Sequence, residues 1–290
     1  MTRALIALLA SIALAGALAF AGSGHTSRID GIPVFALCVF IAFALQWLAF
    51  VPAWLFKSEK FYDLAGSATY LFVIAIAWLF AGDQSALQTT IAVCVVVWAL
   101  RLGSFLFLRI MQDKKDRRFD RIKHNAPRFF LTWTLQGLWV SFTAAAALAA
   151  IASNRAAVEF GPLAIFGTLL WLSGFSLEVI ADAQKRRFRR QRQAGGERGK
   201  AFIDTGLWAL SRHPNYFGEI VLWTGVALMA LPQLHGWQYL TLVSPLFVYL
   251  LLTRISGIPL LERAADERFG SDEDYLKYKA QTPVLWPRFK

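Results

Sequence analysis

Cysteine is scarce in this chain, with two residues, Cys38 and Cys94, in 290. Both lie in apolar runs, far apart in sequence, so neither a disulfide framework nor a Cys-based metal site is expected; they read as buried packing residues. Histidine is equally thin. His25, His124, His213 and His235 have no second ligand at metal spacing, which predicts no metal site. Charge is also sparse, at 17% of residues, and acid is the scarcer sign, with 19 Asp and Glu against 30 Lys and Arg. The glycine pattern of a dinucleotide-binding strand–turn–helix is missing, because Gly22-Ser23-Gly24 follows no strand. We find no internal repeat, no low-complexity segment and no soluble second domain. Nor is there a nucleic-acid-binding motif, and the basic residues flank apolar runs, so a nucleic-acid partner is not expected.

Apolar residues fill the space left by these shortages. They make up 57% of the chain, with 11 Trp, a residue favoured at membrane interfaces. A soluble domain of this length could not hide so much apolar surface in one core. The runs fall at 5–21, 33–56, 64–81, 87–108, 129–152, 162–183, 216–231 and 237–258. Runs of about 20 residues can each cross roughly 30 Å of hydrocarbon. The predicted fold class is therefore all-α, a polytopic transmembrane helix bundle of about 7–8 spans. The first run, with Arg3 ahead of it and Ala19-Phe20-Ala21 before Gly22, has the form of a signal peptide as well as of a helix; the reading taken is a retained helix.

Loop charge sets the expected orientation. Lys57 and Lys60 follow the second run, seven Lys and Arg from Lys114 to Arg128 follow the fourth, and a dense series from Lys185 to Arg212 follows the sixth. More basic residues follow the eighth, whereas the alternate loops hold only Arg28 and Arg155. By the positive-inside rule the rich side is cytoplasmic, and the C-terminus with it. The expected setting is a multi-pass integral membrane protein of a bacterial inner membrane or its equivalent, in contact with membrane lipids.

Ionisable groups in or beside membrane helices are costly unless paired or wetted, so they are functional candidates. Glu178, Asp182, Lys185 and Arg189 follow at spacings of four, three and four, one stripe of a helix. They read either as a self-neutralising ladder or as a mouth for a charged ligand. Arg101 lies well inside the fourth run, with Arg109 two turns on; Asp116-Arg117-Arg118-Phe119 comes next. Arg109 can equally be a snorkelling anchor. The densest polar segment runs from Thr205 to Glu219 and includes Trp208 and Arg212-His213-Pro214-Asn215-Tyr216. Pro214 suits a first helical turn, which puts Asn215 and Glu219 on one face of a helix mouth with free N–H groups. Such a mouth suits phosphate, ribose or amide recognition. Downstream come Glu262, Phe269-Gly270, Tyr275 and Tyr278, and Trp286-Pro287; the two tyrosines share a face that could also be a plain interfacial helix.

Arg212-His213-Pro214-Asn215-Tyr216 with Gly218 and Glu219, together with Glu262, Phe269-Gly270, Tyr275, Tyr278 and Pro287, resembles the steroid 5-alpha-reductase and sterol-reductase superfamily. The resemblance is nearest to its DUF1295 branch. Gln184-Lys185 with Arg189, the Tyr62-Asp63-Leu64-Ala65-Gly66-Ser67 stretch, Trp98-Ala99-Leu100-Arg101-Leu102 and Asp116-Arg117-Arg118-Phe119 fit the same pattern, over about residues 45 to 290. The resemblance implies a membrane-embedded NADPH-dependent reductase of an activated C=C bond in a lipophilic, steroid-like or other enone substrate. It implies an N-terminal span and loop at 1–31 and a catalytic transmembrane domain at 32–290. It also implies that NADPH enters from the cytoplasm and is lined by Asp182, Lys185, Arg189, Trp208, Arg212, His213, Asn215, Tyr216, Glu219, Glu262 and Tyr278, with Arg101 and Arg118 carried over on a looser match. The chain departs from the steroid reductases in two places. Gln46 is followed by Trp47 in place of an acid, and position 98 is Trp in place of Tyr.

Reduction of such a bond requires a hydride, a proton and a donor for the enolate-like oxygen in a dry site. With the usual donor position taken by Trp98, the expected donor is Tyr70, with Asp63 one heptad earlier on the same face and Tyr62 in reserve; packing roles for both tyrosines stay open. Two other readings stay open. One is an S-adenosylmethionine-dependent membrane methyltransferase of the isoprenylcysteine or phospholipid type, which also carries Arg-His-Pro-x-Tyr and a downstream Glu. The other is a non-enzymatic lipid-binding membrane protein.

Overall fold

A computed structural model describes residues 2–82, 84–113, 116, 119–155, 158–195 and 201–288. Most of the described chain is helical: α1 Thr2–Gly22, α2 Val34–Leu55, α3 Tyr62–Leu79, α4 Ala86–Asp113, α5 Ala126–Thr143, α6 Ala145–Ile151, α7 Pro162–Gly195, α8 Pro214–Ala230, α9 Val243–Leu250, α10 Ile258–Phe269 and α11 Glu273–Gln281. A two-residue hairpin, β1 Arg28–Ile29 and β2 Ile32–Pro33, links α1 to α2. Among the described residues, six helical stretches are long and apolar enough to cross a membrane, or seven if the pair α5 and α6, bent by 55°, counts as one span. The remaining expected run, 216–231, is α8, of 17 residues, or about 26 Å at 1.5 Å per residue. The protein is an all-α polytopic bundle, and Cys38 and Cys94 are buried free thiols within it.

Contacts divide the chain into two compact units, Met1–Phe166 with Val226–Ser244, and Gly167–Gly225 with Pro245–Lys290. In the first, small residues let helices approach closely. A Cβ on Gly66 of α3 would fall 2.3 Å from the Gln136 carboxamide of α5. One on Gly103 of α4 would fall 2.7 Å from Ser67 of α3, and one on Gly137 of α5 would fall 3.2 Å from the Phe43 backbone of α2. The run Ala144–Ala152 is entirely buried, and the Ser244 hydroxyl donates to the Thr143 carbonyl at the bend before it. Three buried glutamines tie this unit together at one end. Gln88 donates to the carbonyls of Ala150 and Ile151, Gln233 to the Ser153 hydroxyl and Gln238 to the Gly22 carbonyl. The bonds from Gln88 and Gln238 satisfy buried carbonyls at helix ends where water has no access.

The second unit is built on the crossing of α7 and α8. Glycines seven apart on α7, Gly167 and Gly174, face glycines seven apart on α8, Gly218 and Gly225. A Cβ on Gly174 would lie 2.6 Å from the Gly218 carbonyl oxygen, and one on Gly225 would lie 2.6 Å from that of Gly167. Backbones can meet this closely only where side chains are missing.

Candidate functional site

The second unit carries a buried polar cluster, and the local sequence explains how it is held. Pro214 opens α8, and the segment before it, 205–213, is pinned from two sides. On the α7 side, the Gln184 carboxamide accepts the Leu207 N–H at 3.0 Å and the Trp208 indole N–H donates to the Ala181 carbonyl at 3.0 Å. Gly206 lies at φ +63° against that same carboxamide, a site closed to any side chain. From the C-terminal side, the Arg212 N–H donates to the Pro283 carbonyl at 2.9 Å, the Ser211 hydroxyl to Leu285 at 2.8 Å, and the Arg288 N–H to Leu210 at 3.0 Å.

Arg212 and His213 converge on Glu262 of α10. His213 Nε2 is 2.8 Å from Glu262 Oε1, and Arg212 Nη1 is 3.2 Å from Glu262 Oε2. The His213 ring lies nearly parallel to that of Tyr216, with centroids 5.7 Å apart. Burial holds the His213 pKa below its ordinary value, against the pull of Glu262 in the other direction. Two atoms of this pair are buried with no hydrogen-bond partner among the described residues, Arg212 Nε and His213 Nδ1. With Nε2–H given to Glu262, a neutral His213 presents Nδ1 as an acceptor, and Arg212 presents Nε–H as a donor.

Around this centre, Lys185 sits over the Trp208 ring at 4.4 Å, a cation–π contact. The Tyr278 hydroxyl donates to the Trp208 carbonyl at 2.7 Å. Asp182 and Glu219 are buried, Asn215 and Tyr216 are half-buried, and Arg189 is exposed. Glu178 is buried as well, its backbone N–H lying 2.8 Å from where a Gly218 Cβ would be. Asp182, Lys185, Trp208, Arg212, His213, Asn215, Tyr216, Glu219, Glu262 and Tyr278 thus share one unit. Tyr275 and Tyr278 both turn inward, onto Phe202. Tyr275 donates to Asp266, and burial, then that bond, push its pKa up to about 12.

The residues expected to serve a substrate lie in the first unit. Tyr70 is buried, with its ring edge-on to Trp98 at 5.1 Å. The Tyr62 hydroxyl donates to the Thr132 carbonyl at 3.1 Å, and Asp63 pairs with Arg109 at 3.6 Å. Every polar or small member of Tyr62-Asp63-Leu64-Ala65-Gly66-Ser67 therefore meets a neighbouring helix. Arg101 packs over Phe105 at 5.3 Å. Arg118 lies outside the described residues. Phe119, from the same motif, is buried against Tyr62 with ring centroids 4.9 Å apart.

Charge counting along the loops missed one ionic centre. Glu59 is buried and takes the Lys123 ammonium at 2.8 Å and the Asp116 N–H at 3.1 Å. Burial would raise the Glu59 pKa, but these partners outweigh it and hold it below the usual value. A lone acid among basic residues was the available signal.

The sequence model of DUF1295, described as a protein family of unknown function, matches residues 49–282. Among curated proteins, 3-oxo-5-alpha-steroid 4-dehydrogenase 1 of Bos taurus is 33% identical over 78 residues, 27% of this chain and 28% of that protein. The match thus spans little more than a quarter of that relative's length. No solved structure matches the chain.

Proposed function

This chain belongs to the DUF1295 family, and on that premise we propose that it is a membrane-embedded, NADPH-dependent reductase of an activated C=C bond in a lipophilic substrate. The observation that carries the reading is the pair of buried, unmatched atoms at Arg212 Nε and His213 Nδ1. A buried donor and a buried acceptor on successive residues suit a ligand with both an anionic oxygen and a hydroxyl or amide N–H, as a dinucleotide has. Arg212, His213, Asn215, Tyr216 and Glu219 would hold it, with Asp182, Lys185, Trp208, Glu262 and Tyr278 around them. Arg189, on the exposed extension of α7, would meet the phosphate that distinguishes NADPH from NADH. The partial identity to a steroid dehydrogenase is what suggests redox chemistry.

The cofactor supplies a hydride; the chain supplies position and a proton. Glu262 orients His213 by accepting from Nε2, which fixes the free nitrogen as Nδ1. Tyr70 donates to the oxygen that becomes enolate-like, in a buried setting where such a bond counts for more than in water. Asp63, held by Arg109, tunes that end of α3, and Tyr62 would have to release the Thr132 carbonyl to take over. The cofactor side faces the cytoplasm, following the loop charges. Thermal stabilisation of the detergent-purified protein by NADPH, NADH and S-adenosylmethionine, measured side by side, tests the reading. Stabilisation by NADPH above NADH supports it; stabilisation by S-adenosylmethionine alone transfers the chain to methyl transfer.

A further inference from the structure

The last long span is broken, and the break lies next to the Arg212–His213 cluster. After α9 the backbone widens into a π-turn, Leu251–Ile255, closed by the Ser256 N–H on the Leu251 carbonyl at 2.9 Å. Regular helix resumes only at α10, with Gly257 as its cap and Pro259 in its first turn. Pro259 has no N–H to give to residue 255, and its ring excludes a continuous helix there. Single π-turns of this kind recur at functional sites.

Gly257 has no room for a side chain. A Cβ there would lie 2.6 Å from the Leu252 carbonyl oxygen and 2.9 Å from Cε2 of Tyr216. Tyr216 is the ring stacked on His213, and Glu262, five residues beyond Gly257, is the carboxylate that holds His213 and Arg212. Two walls of the His213 environment thus depend on the same point in the backbone.

We propose that Gly257, with the break it permits, is a positioning residue that seats Tyr216 against His213 and aims Glu262 at His213 and Arg212. For the effect on cofactor affinity, this rests on the reading of the cluster as the cofactor site. Without the break, α10 would turn by the 100° or so that each added helical residue brings, and Glu262 would leave His213.

Two variants remove the break by separate routes. Gly257→Ala introduces the Cβ, and Pro259→Ala restores the missing N–H. If one of them fails to fold, the other carries the test. Two readouts are needed. The first is the NADPH dissociation constant, from quenching of tryptophan fluorescence. The second is the His213 ring signal in ¹⁵N-histidine-labelled protein without any ligand, assigned with His213→Gln. Each variant is expected to weaken NADPH binding about tenfold or more, the effect of losing a hydrogen bond to a charged group. Adding Glu262→Gln should bring no further loss, because residues acting through one contact are not additive. The His213 signal should move as it does in Glu262→Gln. An unmoved His213 signal, or losses that multiply in the double variants, overturns the proposal. Should wild-type protein bind no NADPH while the His213 signal moves as expected, the cofactor reading falls and the positioning role stands.

Discussion

His213 and Glu262 are 49 residues apart in the chain and 2.8 Å apart in the fold. Arg212 takes the other oxygen of the same carboxylate, so one acid orients two neighbouring side chains. Glu262→Ala leaves both without their acceptor in a largely buried place. We expect a loss of NADPH affinity of about tenfold or more, checked by titration of the purified variant, with Glu262→Gln less affected than Glu262→Ala.

The depressed pKa of His213 gives a signed pH dependence. The unfolded chain titrates near the ordinary value of 6.5 and the folded protein below it, so between the two the unfolded state binds more protons. The contribution of His213 to stability is complete above that ordinary value and declines as pH falls through it toward the folded value. Melting temperature measured from pH 8 to pH 5 should fall toward acid, and less steeply in His213→Gln. An equal slope in both proteins would place the acid sensitivity elsewhere.

Tyr70→Phe keeps the ring that packs on Trp98 and removes only the hydroxyl. Loss of one such donor typically lowers turnover about 100- to 1000-fold. The expected outcome is a fall of that order in kcat with NADPH affinity nearly unchanged. Wild-type turnover would assign Tyr70 to packing.

Asn215→Ala and Glu219→Ala should insert and purify as wild type yet lose activity, since they change side chains at the mouth of α8 and not its crossing with α7. Gly218→Val should behave in the opposite way. Its side chain would collide with the Gly174 carbonyl and the Glu178 backbone, so loss of folded protein in detergent is expected before any assay of activity.

A reporter fused to the C-terminus should be active only on the cytoplasmic side, as the loop charges require. Activity only on the far side would reverse both the topology and the proposed face of cofactor entry.

The helices were legible because a membrane span must satisfy its own backbone, which leaves long apolar runs in the sequence. The stripe Asp182–Lys185 and the segment Arg212–Glu219 were legible because polar groups stand out against such a background. Glycine contacts were not. Gly174, Gly218 and Gly257 differ from any loop glycine only by what crosses them, and crossing is set by the partner helix. The bond from Tyr62 to Thr132 and the Glu59–Lys123 pair, 64 positions apart, escaped for the same reason: spacing along one element says nothing of a second. Trp98 stands out in the sequence as a departure, but its edge-on contact with Tyr70 exists only with two helices in place.

The pinning of 205–213 by the residues at 283–288 imposes an order on biosynthesis. Ser211 and Arg212 leave the ribosome some seventy residues before Leu285 and Pro283, their eventual partners. Until those partners emerge, the segment that leads into α8 has no support on that side, although α7 is already available to it through Gln184 and Ala181. A nascent chain stalled at residue 281 would hold every polar side chain of the cluster and lack the strap that steadies the segment carrying Arg212 and His213, so the centre matures only once residues 283–288 have been made.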